Sequence, residues 1–259
     1  MASARAIRNA LIRKCFKNQE NYVSYCQSVV NRHNGDCDYD FETNGEFRFA
    51  KEILPSANVV FDVGANIGLW TQSALLTNPN AQYHCFEPCP STFAELSANE
   101  FPANVILNNF GLGDAEGTLK MYLDPLVSGN NSLYSRRGIP RPPVGEVDVR
   151  LTTLDTYCVE RGIDRVSFVK IDVEGHELAL LKGAARMLAE GRIECIQIEY
   201  NDSWIDSRIL LRDVWEHVTG LNPQYSFAKI LSHGLRPVPV YSQKLETYRY
   251  SNWVIRLNP

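Results

Sequence analysis

Short apolar runs rich in β-branched and aromatic residues recur along the chain, each followed by a segment with helical spacing. The first is Val59-Val60-Phe61, in a strand predicted over 58–62. It runs into Gly64-Ala65-Asn66-Ile67-Gly68 and then a helix to about residue 77. Apolar runs of this length mark parallel strands covered on both faces. Further strands are expected over 82–86, 104–108, 166–171, 193–198, 225–231 and 252–257, and helices over 90–99, 154–161, 176–190 and 208–219. Pro90 suits a first helical position. Repeated β–α units with short loops predict a doubly wound, Rossmann-like α/β sheet of about seven strands.

Two stretches depart from that rhythm. Residues 1–33 and 41–54 carry helical patterns without strands and predict an N-terminal helical extension over 1–55, ahead of an α/β domain over 56–259. Strands expected over 118–123 and 144–151 flank 124–143, which is rich in Gly, Pro, Ser, Asn and Arg. A loop this long is uncommon in a compact domain unless it covers a binding site. It is expected to be a substrate lid, with Ser128, Asn131, Ser132, Tyr134, Arg136 and Arg137 offering groups to a polar ligand.

Composition narrows the function classes. The chain has 259 residues, 44% apolar and 22% charged, with a formal net charge of −4. That balance argues against a broad nucleic-acid surface. No run approaches the roughly 18 apolar residues of a membrane span. The basic N-terminus lacks the apolar core of a signal peptide. Seven cysteines without a CxxC pair point to a reducing, cytoplasmic setting.

Polar residues fall repeatedly on predicted strand ends: Asp62, Glu87, Asn109, Asp172 and Glu199. Ligands of open α/β sheets bind outside those ends. Glu87 follows Gly64 by 23 residues, and a carboxylate there can accept from both hydroxyls of a ribose. NAD would suit Glu87 equally well. The turn, however, lacks both the GxGxxG spacing and the GxxxxGK[ST] phosphate loop. A nucleoside cofactor with a carboxylate and no phosphate, S-adenosylmethionine, fits better.

The stretch Asp62-Val63-Gly64-Ala65-Asn66-Ile67-Gly68 with Thr71 resembles the first motif of class I methyltransferases of the FkbM family. The resemblance continues through Phe86-Glu87-Pro88, Gly111-Leu112-Gly113-Asp114, Asn131-Ser132-Leu133, Leu154-Asp155 and Lys170-Ile171-Asp172-Val173-Glu174-Gly175-His176-Glu177, covering about residues 44–202. It implies O-methyl transfer to a hydroxyl of a sugar, glycan or small natural product. It further implies that Gly64 and Gly68 approach the methionine part and that Asp62, Asn66 and Thr71 shape the turn and reach the amino-acid end. Glu87, with Pro88 beside it, would bind ribose, and Gly111 and Leu112 would flank adenine. Methylation of an RNA ribose hydroxyl and a non-catalytic cofactor-binding module are the alternatives.

Methyl transfer from a sulfonium requires an aligned hydroxyl and a place for its proton. Asp172 is the expected base. Lys170, two residues before it on one strand face, would hold it ionised. His176 is a second base candidate, and Glu174 lies between them in sequence. In a metal-dependent variant, Asp172, Glu199 and Asn201 would bind Mg²⁺ through oxygen.

Overall fold

The computed structural model describes residues 19–126, 128–136 and 142–258. Most of the basic N-terminal segment, Cys15 and Arg137 lie outside the described residues. In chain order, α1 spans Gln19–Asn34 and α2 Glu46–Ile53, followed by β1 (Val59–Val63), α3 (Leu69–Thr77), β2 (Gln82–Phe86), α4 (Pro90–Ser97), β3 (Val105–Asn108), β4 (Gly111–Leu112) and β5 (Gly117–Leu123). Then come β6 (Gly145–Thr152), α5 (Leu154–Arg161), β7 (Phe168–Ile171), α6 (Glu177–Lys182), α7 (Ala185–Ala189) and β8 (Cys195–Tyr200). The chain ends with α8 (Ser203–Ser207), α9 (Leu211–Leu221), β9 (Tyr225–Leu231), β10 (Gly234–Val238) and β11 (Ser251–Leu257).

The main sheet has eight strands in the order β10-β9-β11-β8-β7-β1-β2-β3. Strands β3, β2, β1, β7 and β8 pair in parallel, and β11 is antiparallel to both β8 and β9. The chain winds from β1 outward to β3, then returns to β7 and winds the other way. The switch point therefore lies between β1 and β7, where such sheets bind ligands. The fold is the doubly wound sheet that the periodicity predicts. The strand missing from that prediction is β10, whose Pro237 is tolerated on an edge.

Pairing register explains the two faces. Phe61, Val63, Val169, Ile171, Ile196 and Ile198 point into one apolar core under α5–α9. Val60, Phe168, Cys195 and Val254 point into a second core beneath α2 and α3. Cα partners Asp62, Lys170 and Gln197 follow on that second face, one step nearer the carboxyl ends. Polar groups there are buried, so each must find a partner.

Two helices differ from expectation for steric reasons. The helix expected over 176–190 breaks in two at Gly183, where a Cβ would stand 1.9 Å from the carbonyl oxygen of Gly113. The helix expected over 41–54 begins only at Glu46, because Gly45 (φ +97°) lies against the Leu231 carbonyl, which a Cβ would meet at 2.1 Å. The second sheet is small, in the order β4-β6-β5. Between β5 and β6, Ser128, Gly129, Asn131 and Leu133 reach the cavity at the carboxyl ends of the main sheet.

Candidate active site

The turn after β1 is shaped by contact with the neighbouring strand. Gly64 adopts φ +83°, and a Cβ on it would lie 1.8 Å from the carbonyl oxygen of Asp172. Only glycine lets the two strand ends touch in this way. Gly68 (φ +87°) faces Leu96, which a Cβ would meet at 2.7 Å. Beneath the turn, the Thr71 hydroxyl donates to Asp62 Oδ2 at 2.6 Å, and both residues are fully buried. Asp62, Gly68 and Thr71 therefore sit behind the turn and do not line the cavity in front of it.

That cavity, of about 630 Å³, is bordered by Gly64, Asn66, Glu87, Pro88, Gly111 and Leu112. Glu87 accepts from the backbone N–H groups of Asn66 (3.0 Å) and Cys89 (2.9 Å). Both oxygens are thereby aimed, and each retains a lone pair for a ligand hydroxyl. Burial pushes the Glu87 carboxyl up to about 7. Phe86, Met121, Leu133 and Leu151 supply apolar wall. A carboxylate at one end and apolar surface around it fit a nucleoside without phosphates, since among the described residues none that borders the cavity is Lys or Arg.

Next to the cavity lies a dense polar cluster. Lys170 Nζ donates to Asp172 Oδ2 at 2.8 Å. Burial works against the Lys170 charge, but Asp172, Asp62 and Glu46 together raise its pKa above the ordinary lysine value. Gln197 Nε2 donates to Glu46 Oε1 at 2.7 Å, tying the first turn of α2 to β8. Oxygens of Asp172, Glu174 and Glu199 approach within 4.8 Å of one another. Burial, then Asp172, pushes Glu174 up to about 7; burial, Asp172 and Glu174 push Glu199 well above the carboxylate range. Asn201 turns its amide nitrogen to Glu199 (2.7 Å) and Glu174 (3.3 Å), while its oxygen caps Ser203 N–H at 2.8 Å. It bridges the two acids as a donor, with its oxygen turned away from them.

Residues 128–136 are fastened over this region. Ser128 donates to Asn66 Oδ1 at 2.9 Å, and Ser132 to the Glu174 carbonyl at 2.7 Å. The Tyr134 hydroxyl meets His176 Nδ1 at 3.1 Å. Arg136 binds Asp202 at 2.5 Å and lies 3.6 Å from Glu174. Asn131 lines the cavity and accepts from Asp124 N–H through Oδ1 at 2.9 Å. His176 lines the cavity too, and burial lowers its pKa to about 4. Glu177 is buried behind the strand-end turn and is pushed up to about 8 by desolvation.

Several site residues carry no motif in the sequence. Tyr39, Tyr248, Arg249 and Tyr250 join Arg136, Asp172, Glu174 and Glu199 around an open polar cleft of about 1940 Å³. Glu46 and Phe47 reach the cluster from α2. Glu46 had one available signal, an acid in the first turn of a helix with an apolar side.

Residues 62–230 match the family profile described as the methyltransferase FkbM domain. The chain belongs to the FkbM methyltransferase family. That span holds the β1 turn, Glu87, the small sheet and the Lys170–Glu177 stretch. Within the family, the chain is 29% identical over 153 residues to the hexuronic acid methyltransferase AglP of Haloferax volcanii, covering 58% of this chain and 60% of that protein. It is 32% identical over 163 residues to the 31-O-demethyl-FK506 methyltransferase FkbM of Streptomyces tacrolimicus, covering 52% of this chain and 62% of that one. Identity to the 2-O-methyltransferase NoeI of Sinorhizobium fredii is 27% over 157 residues, covering 56% and 63%. The match thus spans about three fifths of each of these relatives.

Proposed function

We propose that this chain transfers the methyl group of S-adenosylmethionine to a hydroxyl oxygen of a sugar or other small natural product. The observation that carries the reading is that Asp172 and Glu174 line both the nucleoside-shaped cavity and the open polar cleft. A methyl group delivered from the first meets an acceptor in the second at Asp172. The relatives named for hexuronic acid and for a demethylated natural product support a hydroxylated acceptor.

In this reading Glu87 holds the ribose hydroxyls, and Gly111 and Leu112 flank the adenine. Gly64 and Asn66 border the methionine end. Asp172 accepts the hydroxyl proton as the new oxygen–carbon bond forms and the sulfonium–methyl bond breaks, leaving a neutral thioether. Lys170 orients Asp172 through the 2.8 Å bond from its ammonium. His176, joined to Tyr134, belongs to the cofactor side and to the loop, which closes over the reacting centre and excludes water. Phe41, Phe47 and Ala50, ahead of β1, supply part of the acceptor wall. A divalent cation held by Asp172, Glu174 and Glu199 is the second reading, favoured by the approach of their oxygens. Lys170 and Asn201 already engage this set.

Calorimetric titration tests the first reading. S-adenosylhomocysteine binds in the micromolar range and NAD does not. Absence of S-adenosylhomocysteine binding overturns it. Loss of turnover in EDTA with recovery in Mg²⁺ selects the metal-dependent form, and turnover unchanged in EDTA excludes it.

A further inference from the structure

A second space opens at Asp172 on the side of α2 and α3. It has a volume of about 820 Å³ and shares Gly64, Asn66 and Asp172 with the cofactor-shaped cavity. Its walls are Phe41, Phe47, Ala50, Leu69, Trp70 and Ala74. Phe41 and Leu69 remain 43% and 58% exposed among the described residues, so large apolar side chains border this concavity only partly covered. The walls are firm. Phe41 meets Phe47 edge-on at 6.2 Å, and Trp70 stacks on Phe168 at 5.8 Å and 11°. A concave, mostly apolar space with polar groups gathered at one end has the form of a small-molecule site.

Charge separates this slot from the polar cleft. Its polar end holds Glu46, Asp172 and Glu199 against one cation, Lys170, whose ammonium is already bound to Asp172. Among the described residues it offers no free cation to a carboxylate or phosphate. The polar cleft, by contrast, carries Arg136 and Arg249. Three compartments thus meet at one carboxylate: one shaped for the cofactor, one polar and one apolar.

We propose that the acceptor is amphiphilic, with an uncharged apolar group lodged between Phe41, Phe47, Leu69 and Trp70, its polar body in the cleft and the reacting hydroxyl at Asp172. The inference rests on the methyl-transfer reading of the same site and adds the class of acceptor. It makes Phe41 and Phe47, which lie outside the matched family span, specificity-determining residues.

The test compares methyl β-D-glucoside with n-octyl β-D-glucoside below its micellar concentration, on protein saturated with S-adenosylhomocysteine. Binding is followed by the fluorescence of Trp70 and confirmed by calorimetry. The octyl compound binds at least about tenfold tighter, as burial of a few methylenes requires. In the double variant Phe41→Ser, Phe47→Ser that advantage falls below about threefold, while affinity for S-adenosylhomocysteine is retained, which also reports an intact fold. The single variant Phe41→Ser, at a half-exposed position, shows an intermediate ratio. Equal binding of the two glucosides, binding of neither, or an octyl advantage that survives both substitutions overturns the proposal. Failure to bind S-adenosylhomocysteine at all instead strikes the methyl-transfer reading beneath it.

Discussion

Lys170→Met is the sharpest probe of the buried polar row. The substitution keeps the aliphatic volume and removes the one ammonium facing Asp172, Asp62 and Glu46. At the observed 2.8 Å, and an effective dielectric constant of about 20, the Lys170–Asp172 pair alone carries about 6 kcal/mol of gross attraction. Desolvation of both groups offsets part of it, and Asp172 keeps contact with solvent in the cleft. Breaking a buried pair by removing one partner costs about 3–5 kcal/mol, and the lower end applies here. The loss depends on pH. Burial already raises the Asp62 and Glu46 carboxyls, and Lys170 opposes that rise in both. In the variant their folded-state pKa values climb further above the unfolded ones. Stability contributed by a raised carboxyl is present below the unfolded pKa and lost as pH rises through the folded one. Urea unfolding followed by tryptophan fluorescence should therefore show a loss of about 3 kcal/mol at pH 8 and less than half of that near pH 5. A loss below about 1 kcal/mol at pH 8, or one independent of pH, refutes the assignment of Lys170 as the counter-charge of this row.

Four further outcomes follow from the same geometry. Asp172→Asn keeps S-adenosylhomocysteine affinity within about threefold by calorimetry but lowers kcat by about a hundredfold or more in a methyl-donor turnover assay, as removal of a general base does. Gly64→Ala forces a Cβ to within 1.8 Å of the Asp172 carbonyl at φ +83°. It should cost more than about 2 kcal/mol in urea unfolding and abolish cofactor binding. The pair Ser128→Ala, Tyr134→Phe removes two of the bonds that fasten the loop. Limited proteolysis within 124–136 should accelerate about tenfold, since each bond contributes about 0.5–1.5 kcal/mol. His84 is buried against the Tyr157 hydroxyl at 2.7 Å, and burial lowers its pKa to about 4. Stability from a depressed histidine is complete above its unfolded pKa and lost as pH falls through the folded one, so between pH 6.5 and 4 His84→Gln should lose less stability than the parent in matched urea titrations.

The half of the site that faces the cofactor was legible because it is built from strand ends. A short continuous apolar run announces a buried parallel strand, and the first polar residue beyond it falls at the sheet's carboxyl edge. Glu87, Asp172 and Glu199 were found that way, and the glycine at 64 marked the turn. The same logic could not tell residues in front of the turn from those behind it. Asp62 and Thr71 look like cavity residues in sequence, yet their side chains bond each other beneath the backbone. Which face Asp62 takes is set by its pairing with Lys170 across the switch point, a contact 108 residues away in the chain.

The acceptor half was opaque for a different physical reason. It is assembled from irregular backbone and from a helix whose start is fixed by a distant strand. Gly45 ends the irregular stretch because the Leu231 carbonyl leaves no room for a side chain. Glu46 is then delivered to Gln197 and Asn252 on β8 and β11, and Phe47 to the slot. In a helical pattern an acid in the first turn reads as a solvent-facing complement to the helix dipole. Here that acid is buried because the row it completes already contains Lys170. Moving Glu46 outward would leave a buried lysine with two acids in place of three, and moving the helix outward would open the apolar slot to water. The position of α2 thus rests on Phe49 and Ala50 in the second core, which hydrophobic periodicity reports, and on the bonds of Glu46 to Gln197 and Asn252, which it does not.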